Sequence, residues 1–229
     1  MQQLCKLTTQ RLTSHGGFQW EIGTPAPMLS GDGDLCGPGW YHCYQHPLLA
    51  VLLNPIYSDI KYPRLWKIEV SGEGKHDYGL KSGYQSMTLI KELPLPEITL
   101  TQRVSFGILC TLEVYKDPAF IKWANSWLSG DDRSEESSEF VAEAASTYAW
   151  KYSRTSAAAA WAAWAASRAA WAAYRAASPK AAARAAAKPA EWTAAHTAAR
   201  AAYMAASSRA AADHALDLIS LAEKAILIK

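Results

Sequence analysis

Cysteine is scarce in this 229-residue chain, with four positions only, Cys5, Cys36, Cys43 and Cys110. That is too few for a disulfide framework at this length, so they read as reduced thiols. No stretch approaches the roughly 18 uninterrupted apolar residues of a membrane span. The nearest, 157–166, is mostly alanine and only weakly hydrophobic. Residues 1–11 hold no apolar run of the length a secretory signal needs, and a soluble, intracellular protein is expected. Neither sign of charge dominates: 23 Lys and Arg face 21 Asp and Glu, net +2, which implies no strong polyelectrolyte partner for the chain as a whole. A Gly-rich phosphate loop, a Gly-x-Ser-x-Gly elbow and a His-Glu-x-x-His helix are all missing. Glu92 and Glu97 flank Pro94 and Pro96, but no second convergent group marks an acid/base pair. The sequence therefore predicts no catalytic set, no cofactor and no metal.

What is present is unevenly placed. Ten Trp is many for this length. Only four Ala occur in the first 140 residues, whereas 32 of the 56 residues in 157–212 are Ala. Charge divides as well. Residues 1–130 carry eleven basic and eleven acidic side chains, 131–145 carry one and six, and 146–229 carry eleven and four. This predicts a head domain (1–130), an acidic collar (131–145) and a basic Ala/Trp-rich helical arm (146–229). The collar suits a helix start, where carboxylates complement the dipole.

The head reads as mixed α/β. Residues 4–9 and 18–22 are short strand candidates separated by a turn at Gly16-Gly17, and 23–39 is a loop with five Gly and three Pro. A compact apolar helix follows over 47–53, with Pro in its first turn. The alternation of Trp66, Ile68 and Val70 against Lys67 and Glu69 makes 65–71 the strongest strand, and 86–91 is another. Val104, Ile108 and Leu112 mark a helix over 101–115. Asp117-Pro118 opens the next helix, and Ser129-Gly130 closes it.

The arm should be almost entirely helical, since Ala is the best helix former, with Ser138 as N-cap. Pro179 and Pro189 break it near the middle. The two segments, 139–177 and 190–228, have 39 residues each, roughly 60 Å apiece. The expected class is therefore α+β, a small head followed by a helical hairpin; a kinked single rod is the alternative. On a helical wheel Trp150, Arg154, Trp161, Trp164, Arg168, Trp171 and Arg175 share one side, opposite nearly pure Ala. The second segment aligns Trp192, His196, Tyr203, His214 and Leu221. Trp, Tyr and Arg are the anchors enriched at interfaces, so the first set is the candidate partner-binding surface. The competing reading makes it the hairpin's own core or its seam with the head.

Two further segments carry ligand-competent residue types. Cys36, His42, Cys43 and His46 are zinc-competent residue types, but their spacing matches no standard knuckle, and structural roles are expected. Residues 178–190 resemble the Ala-Pro-Lys tails of linker histones. Residues 151–212 carry nine basic side chains and one acidic, which would support phosphate contacts but at far lower Lys density.

A broader likeness rests on the segments Gly17-Phe18-Gln19-Trp20-Glu21-Ile22-Gly23, Leu35-Cys36 through Gly39-Trp40-Tyr41-His42-Cys43, Trp66-Lys67-Ile68-Glu69-Val70-Ser71-Gly72, Leu89-Ile90-Lys91-Glu92-Leu93, and Trp123 to Ser134 ahead of the Ala-rich stretch. In this order they resemble an uncharacterised domain family of bacteriophages and prophages. The resemblance implies a phage-type accessory protein in the bacterial host's cytoplasm. It would act by contact with a host or viral protein complex, as an inhibitor of host defence of the anti-CRISPR kind. Self-association, a virion role and nucleic-acid binding are alternatives. Within the same order of segments, Gly39-Trp40-Tyr41-His42-Cys43, a helix and then a strand ending Glu69-Val70-Ser71-Gly72 are similar in order to ADP-ribosyltransferase domains, which would imply a dinucleotide cleft with His15 at the ribose and Tyr41 stacking. Gln85 stands where that family needs glutamate, so the alternative function that this likeness implies is an ADP-ribosyltransferase-like enzyme or its inactive relative.

Overall fold

The chain is described from a computed structural model covering residues 4–14, 16–154, 156–178, 190–210 and 215–229. Its first strand, β1 (Cys5–Thr8), is buried throughout. It pairs antiparallel with β3 (Arg64–Asp77), which pairs with β4 (Lys81–Leu93), and β4 in turn carries β2 (Tyr41–Cys43) on its far side. The sheet order is thus β1-β3-β4-β2, all antiparallel. Cys5 and Tyr44 exchange backbone hydrogen bonds at 2.9 and 2.8 Å, which brings the two outer strands together and curls the sheet onto itself. Curling satisfies the edges that an open four-stranded sheet would leave unpaired.

The alternation read at 65–71 is realised: Trp66 and Ile68 are buried while Lys67 and Glu69 face solvent. The Trp66 indole N–H donates to the Thr8 hydroxyl at 3.0 Å. The expected strand at 18–22 contributes only isolated bridges, Thr13 to Gln19 and Ile22 to Leu89. Its aromatics still matter, because Phe18, Trp20 and Tyr41 form a triad with ring centroids 4.8 to 5.3 Å apart, edge to face. Helix α1 (Pro47–Tyr57) is capped by His46, whose ring accepts from the Leu48 N–H, and it is buried from Leu48 through Pro55.

The chain forms two compact units, Met1–Glu97 and Ile98–Lys229. The boundary thus lies before the helices that the sequence assigned to the head. The reason is packing. Val104 and Ile108 of α2 (Leu100–Val114), and Phe120, Trp123 and Trp127 of α3 (Pro118–Ser129), share one hydrophobic core with the Ala faces further along. An alanine methyl buries little area, so these larger side chains supply the bulk that the Ala-rich helices lack. Asp117 caps α3 and Gly130, at φ +89°, ends it as the sequence predicts.

The expected 39-residue first segment is two helices. α4 (Glu135–Tyr152) ends at Ser153, and α5 (Ala157–Ala177) begins after Ser156, whose hydroxyl accepts from the Ala159 N–H. Ser153, whose hydroxyl donates to the Trp150 carbonyl at 2.8 Å, and the Ser156 cap give the backbone side-chain partners outside a helix. α4 and α5 run antiparallel, since Ser178 meets Glu135, Ser167 meets Ser146 and Trp164 meets Trp150. The cap of α4 is Ser134; Ser138, the expected cap, sits buried one turn inside. α6 (Ala190–Ala210) is antiparallel to α5, with Arg175 on Thr197 and Ser208 on the Ala158 carbonyl. The second segment also stops short of one helix, because residues 215–217 are not helical and α7 (Leu218–Ala225) starts afresh from an Asp217 cap. Pro179 and Pro189 lie outside the described residues, between the end of α5 and the start of α6.

Candidate functional site

The Trp/Arg stripe is where α5 meets solvent. Ten residues from Ala160 to Ala173 are buried against neighbouring helices. Trp164, Arg168, Trp171 and Arg175, at spacings of four, three and four, remain half-buried, and Trp161 is 39% exposed. From α4, Trp150 packs edge-on against Trp164, with centroids 5.3 Å apart, yet stays 69% exposed. Arg154 lies in the turn between the helices and is exposed. The seven predicted residues therefore divide into a half-buried quartet on α5 and three exposed side chains at the α4–α5 end.

The quartet, together with Ser146 and Ser167, lines a cavity of about 240 Å³. The two serine hydroxyls share a 2.7 Å hydrogen bond that joins α4 to α5. Trp171 packs edge-on against Tyr174 at 5.2 Å. Arg175 donates to the Thr197 hydroxyl at 2.5 Å, which fixes its guanidinium. Burial holds the Arg168 pKa below the ordinary guanidinium value, and the like charges of Arg200 and Arg175 push the same way. Among the described residues no carboxylate lies at ion-pair distance from Arg168, Arg175 or Arg200. Guanidinium groups and indoles lining one cavity suit a carboxylate or phosphate with an apolar flank.

Sequence reasoning missed Ser146, Ser167 and Arg200. The serines are small polar interruptions in Ala runs, but only the antiparallel register places them face to face. Of the second set, Trp192, His196 and Tyr203 are half-buried on α6 and Leu221 is buried on α7, while His214 lies outside the described residues.

The Cys/His group is dispersed over separate tasks. The His42 ring meets the Leu35 carbonyl, His46 caps α1, Cys43 is buried, and the Cys36 sulfur accepts from Lys81 at 3.1 Å. Among the described residues no set of three or more His, Cys, Asp or Glu is placed to hold a metal. All four cysteines are free.

A second cavity, about 450 Å³, lies in the first unit. Lys6 of β1 and Lys81 of β4 line it with Trp40, Tyr41, Tyr44, Tyr57 and Cys36. Both lysines are buried, at 6% and 5% exposure. Lys6 donates to the His42 carbonyl at 2.7 Å and its ammonium sits 4.8 Å from the Trp20 ring centroid. Lys81 lies 4.4 Å from the Tyr57 ring centroid. Burial brings Lys6 down to about 8, opposed by Cys43. Burial likewise pushes the Cys43 thiol up to about 12, opposed by Lys6. Tyr41, the stacking residue of the ADP-ribosyltransferase resemblance, lines this cavity, whereas His15 lies outside the described residues. Gln85 is turned to the loop, receiving the Glu73 N–H at 2.7 Å and donating to the Ser30 carbonyl at 3.2 Å.

No helix of the described residues is long and apolar enough to cross a membrane. Set against protein-family models, curated proteins and solved structures, the chain matches none.

Proposed function

We propose that the protein acts by protein–protein contact through the α4–α5 face. The observation that carries this reading is Trp150, a large indole left 69% exposed at the end of a Trp–Trp pair. Trp161 and Arg154 stand exposed beside it. The cavity behind them holds guanidinium groups without carboxylate partners among the described residues. Exposed indoles anchor interfaces, and an acidic side chain of the partner meets the arginines. The antiparallel α5–α6 pair serves as the hairpin that holds this face rigid. The phage resemblance supports a host-defence complex in the bacterial cytoplasm as the target, with the protein as its inhibitor.

The test is co-purification from host cells by tagged wild-type protein and by Trp150→Ala and Arg168→Glu variants, with far-UV circular dichroism on each. One host complex retained by the wild type and lost from both variants at unchanged helix content supports the reading. Equal retention by all three overturns it. Sedimentation of the purified chain identifies a second copy as the partner if the variants dissociate it. Salt-sensitive retention on DNA lost in Arg168→Glu would replace the protein partner with nucleic acid.

A further inference from the structure

Lys6 presents a physical problem that the helical face does not touch. Its amine is buried in β1 with one carbonyl acceptor and one aromatic face. A buried ammonium without a counter-charge costs several kcal/mol. The titratable groups around it are Cys43, Tyr41 and His42 of β2, then Tyr44, and across the cavity Tyr57, Lys81 and Cys36. None of these is a carboxylate. Burial keeps Cys43, Tyr41 and Tyr44 protonated, so they offer Lys6 no negative charge. Asp77, which acts on Lys81 and is hydrogen-bonded by Tyr57, is not among the cavity's lining residues.

A second observation concerns a residue of the same cavity. Trp40 lines the cavity, and its indole Nε1 is buried with no hydrogen-bond partner among the described residues. Buried N–H groups are nearly always satisfied, and an orphan calls for a missing acceptor. The cavity thus offers two buried amines and an unmatched N–H, walled by Phe18, Tyr41 and Tyr44. Two buried amines, of which Lys6 has no carboxylate beside it, and one unmatched N–H next to aromatic walls describe the complement of an anionic head on a planar ring.

We propose that this cavity is a binding site for a small aromatic anion, its carboxylate or phosphate head set between Lys6 and Lys81 and its ring against the aromatic wall. The anion supplies the counter-charge that the fold withholds from Lys6. Binding therefore favours the protonated amine, and because free Lys6 sits at about 8, complex formation near pH 8 takes up protons from buffer.

The experiment is isothermal titration of the full chain at pH 8 with benzoate, phenyl phosphate and inorganic phosphate, each in two buffers of different ionisation heat. Benzoate against phenyl phosphate identifies the head group, and inorganic phosphate alone tests the ring. At least one ring-bearing probe is expected to bind, with proton uptake, and more weakly as pH rises above 8. Lys6→Met should abolish the uptake and, like Lys81→Met, weaken binding about tenfold or more. If Lys6→Met fails to fold, Lys81→Met and proton uptake by the unaltered chain carry the test. Absence of binding by all three probes at millimolar concentration overturns the proposal. So does binding without proton uptake, or binding unchanged in Lys81→Met.

Discussion

At the scale of single residues, two positions make opposite demands on space and charge. Gly107 lies in α2, where a Cβ would come 2.9 Å from the Ala198 carbonyl oxygen and 3.3 Å from its Cα on α6. In an ordinary helix interior Gly→Ala gains about 1 kcal/mol. Here the obstacle is backbone, which cannot rotate away, so Gly107→Ala should lose roughly 1–3 kcal/mol net, measured by denaturant unfolding. Lys6 carries the charge demand. Its folded pKa, about 8, lies below the ordinary 10.5 because burial disfavours the ammonium. The unfolded chain then binds more protons between those values, so this group's contribution to stability rises with pH across that window. Below about pH 8 its full penalty, on the order of 3 kcal/mol, is present. Lys6→Met should accordingly be more stable than wild type at neutral pH, with the difference closing as pH rises through 10.5. The buried thiols Cys5 and Cys43, raised above their ordinary 9.0, draw stability down above pH 9 in both proteins. The Cys5 part cancels in the difference, whereas Cys43 is coupled to Lys6, so thermal melts between pH 7 and 9, below the onset of thiol titration, would measure the Lys6 contribution.

At the scale of elements, helix ends were more legible than helix lengths. Asp117-Pro118 and Gly130 bound α3 where their chemistry says. For α4 the sequence offers Ser134, Ser137 and Ser138, and any of them satisfies the capping rule. The structure selects Ser134, whose hydroxyl accepts from Ser137 N–H at 3.3 Å, with Glu135 and Glu136 in the first turn. Ser138 is inside the helix, its hydroxyl donating to the Ser134 carbonyl at 2.9 Å. Ser134→Ala should therefore cost about 1 kcal/mol as a lost cap. Ser138→Ala, which removes one helix-internal side-chain bond, should cost clearly less. Comparison of the two melting temperatures tests the assignment; a costlier Ser138→Ala would move the cap back to the sequence expectation. The break at 153–156 is the larger surprise, because Ala propensity alone would carry the helix across it.

At the scale of the whole molecule, the two units hold separate cores of different character. One is a curled sheet around Trp20, Tyr41, Trp66 and Leu89; the other is helical, with Ala surfaces filled in by Phe120, Trp123 and Trp127. A chain cut at the compositional boundary near residue 130 would separate α2 and α3 from the Ala faces they fill. Residues 98–229 expressed alone should keep their helical far-UV signal and melt cooperatively, whereas 131–229 should not. Equal behaviour of the two fragments would show that the Ala-rich helices need no large side chains to pack.

The sequence by itself determined the α+β class, the strand at 65–71, the capped helix after Asp117 and the stripe along α5. Each of these follows from local chemistry, namely period-two or helical spacing, a cap, or a proline. The stripe from Trp161 to Arg175 lies within one helix, so its phase could be read directly. Arg154 lies in the turn that separates Trp150 from it, and only antiparallel packing of α4 on α5 brings Trp150 onto Trp164. Tertiary structure alone decided the unit boundary, the Ser146–Ser167 contact and the lysine cavity. Lys6 carries no sequence signal of burial, since its neighbours alternate no more clearly than those of an exposed lysine. Its surroundings arise when Cys5 and Tyr44 pair across 39 residues and the sheet closes. Alanine gives the clearest physical reason for the division: its methyl favours a helix wherever it stands but prefers no particular partner, so which faces meet is settled by the few large side chains around it.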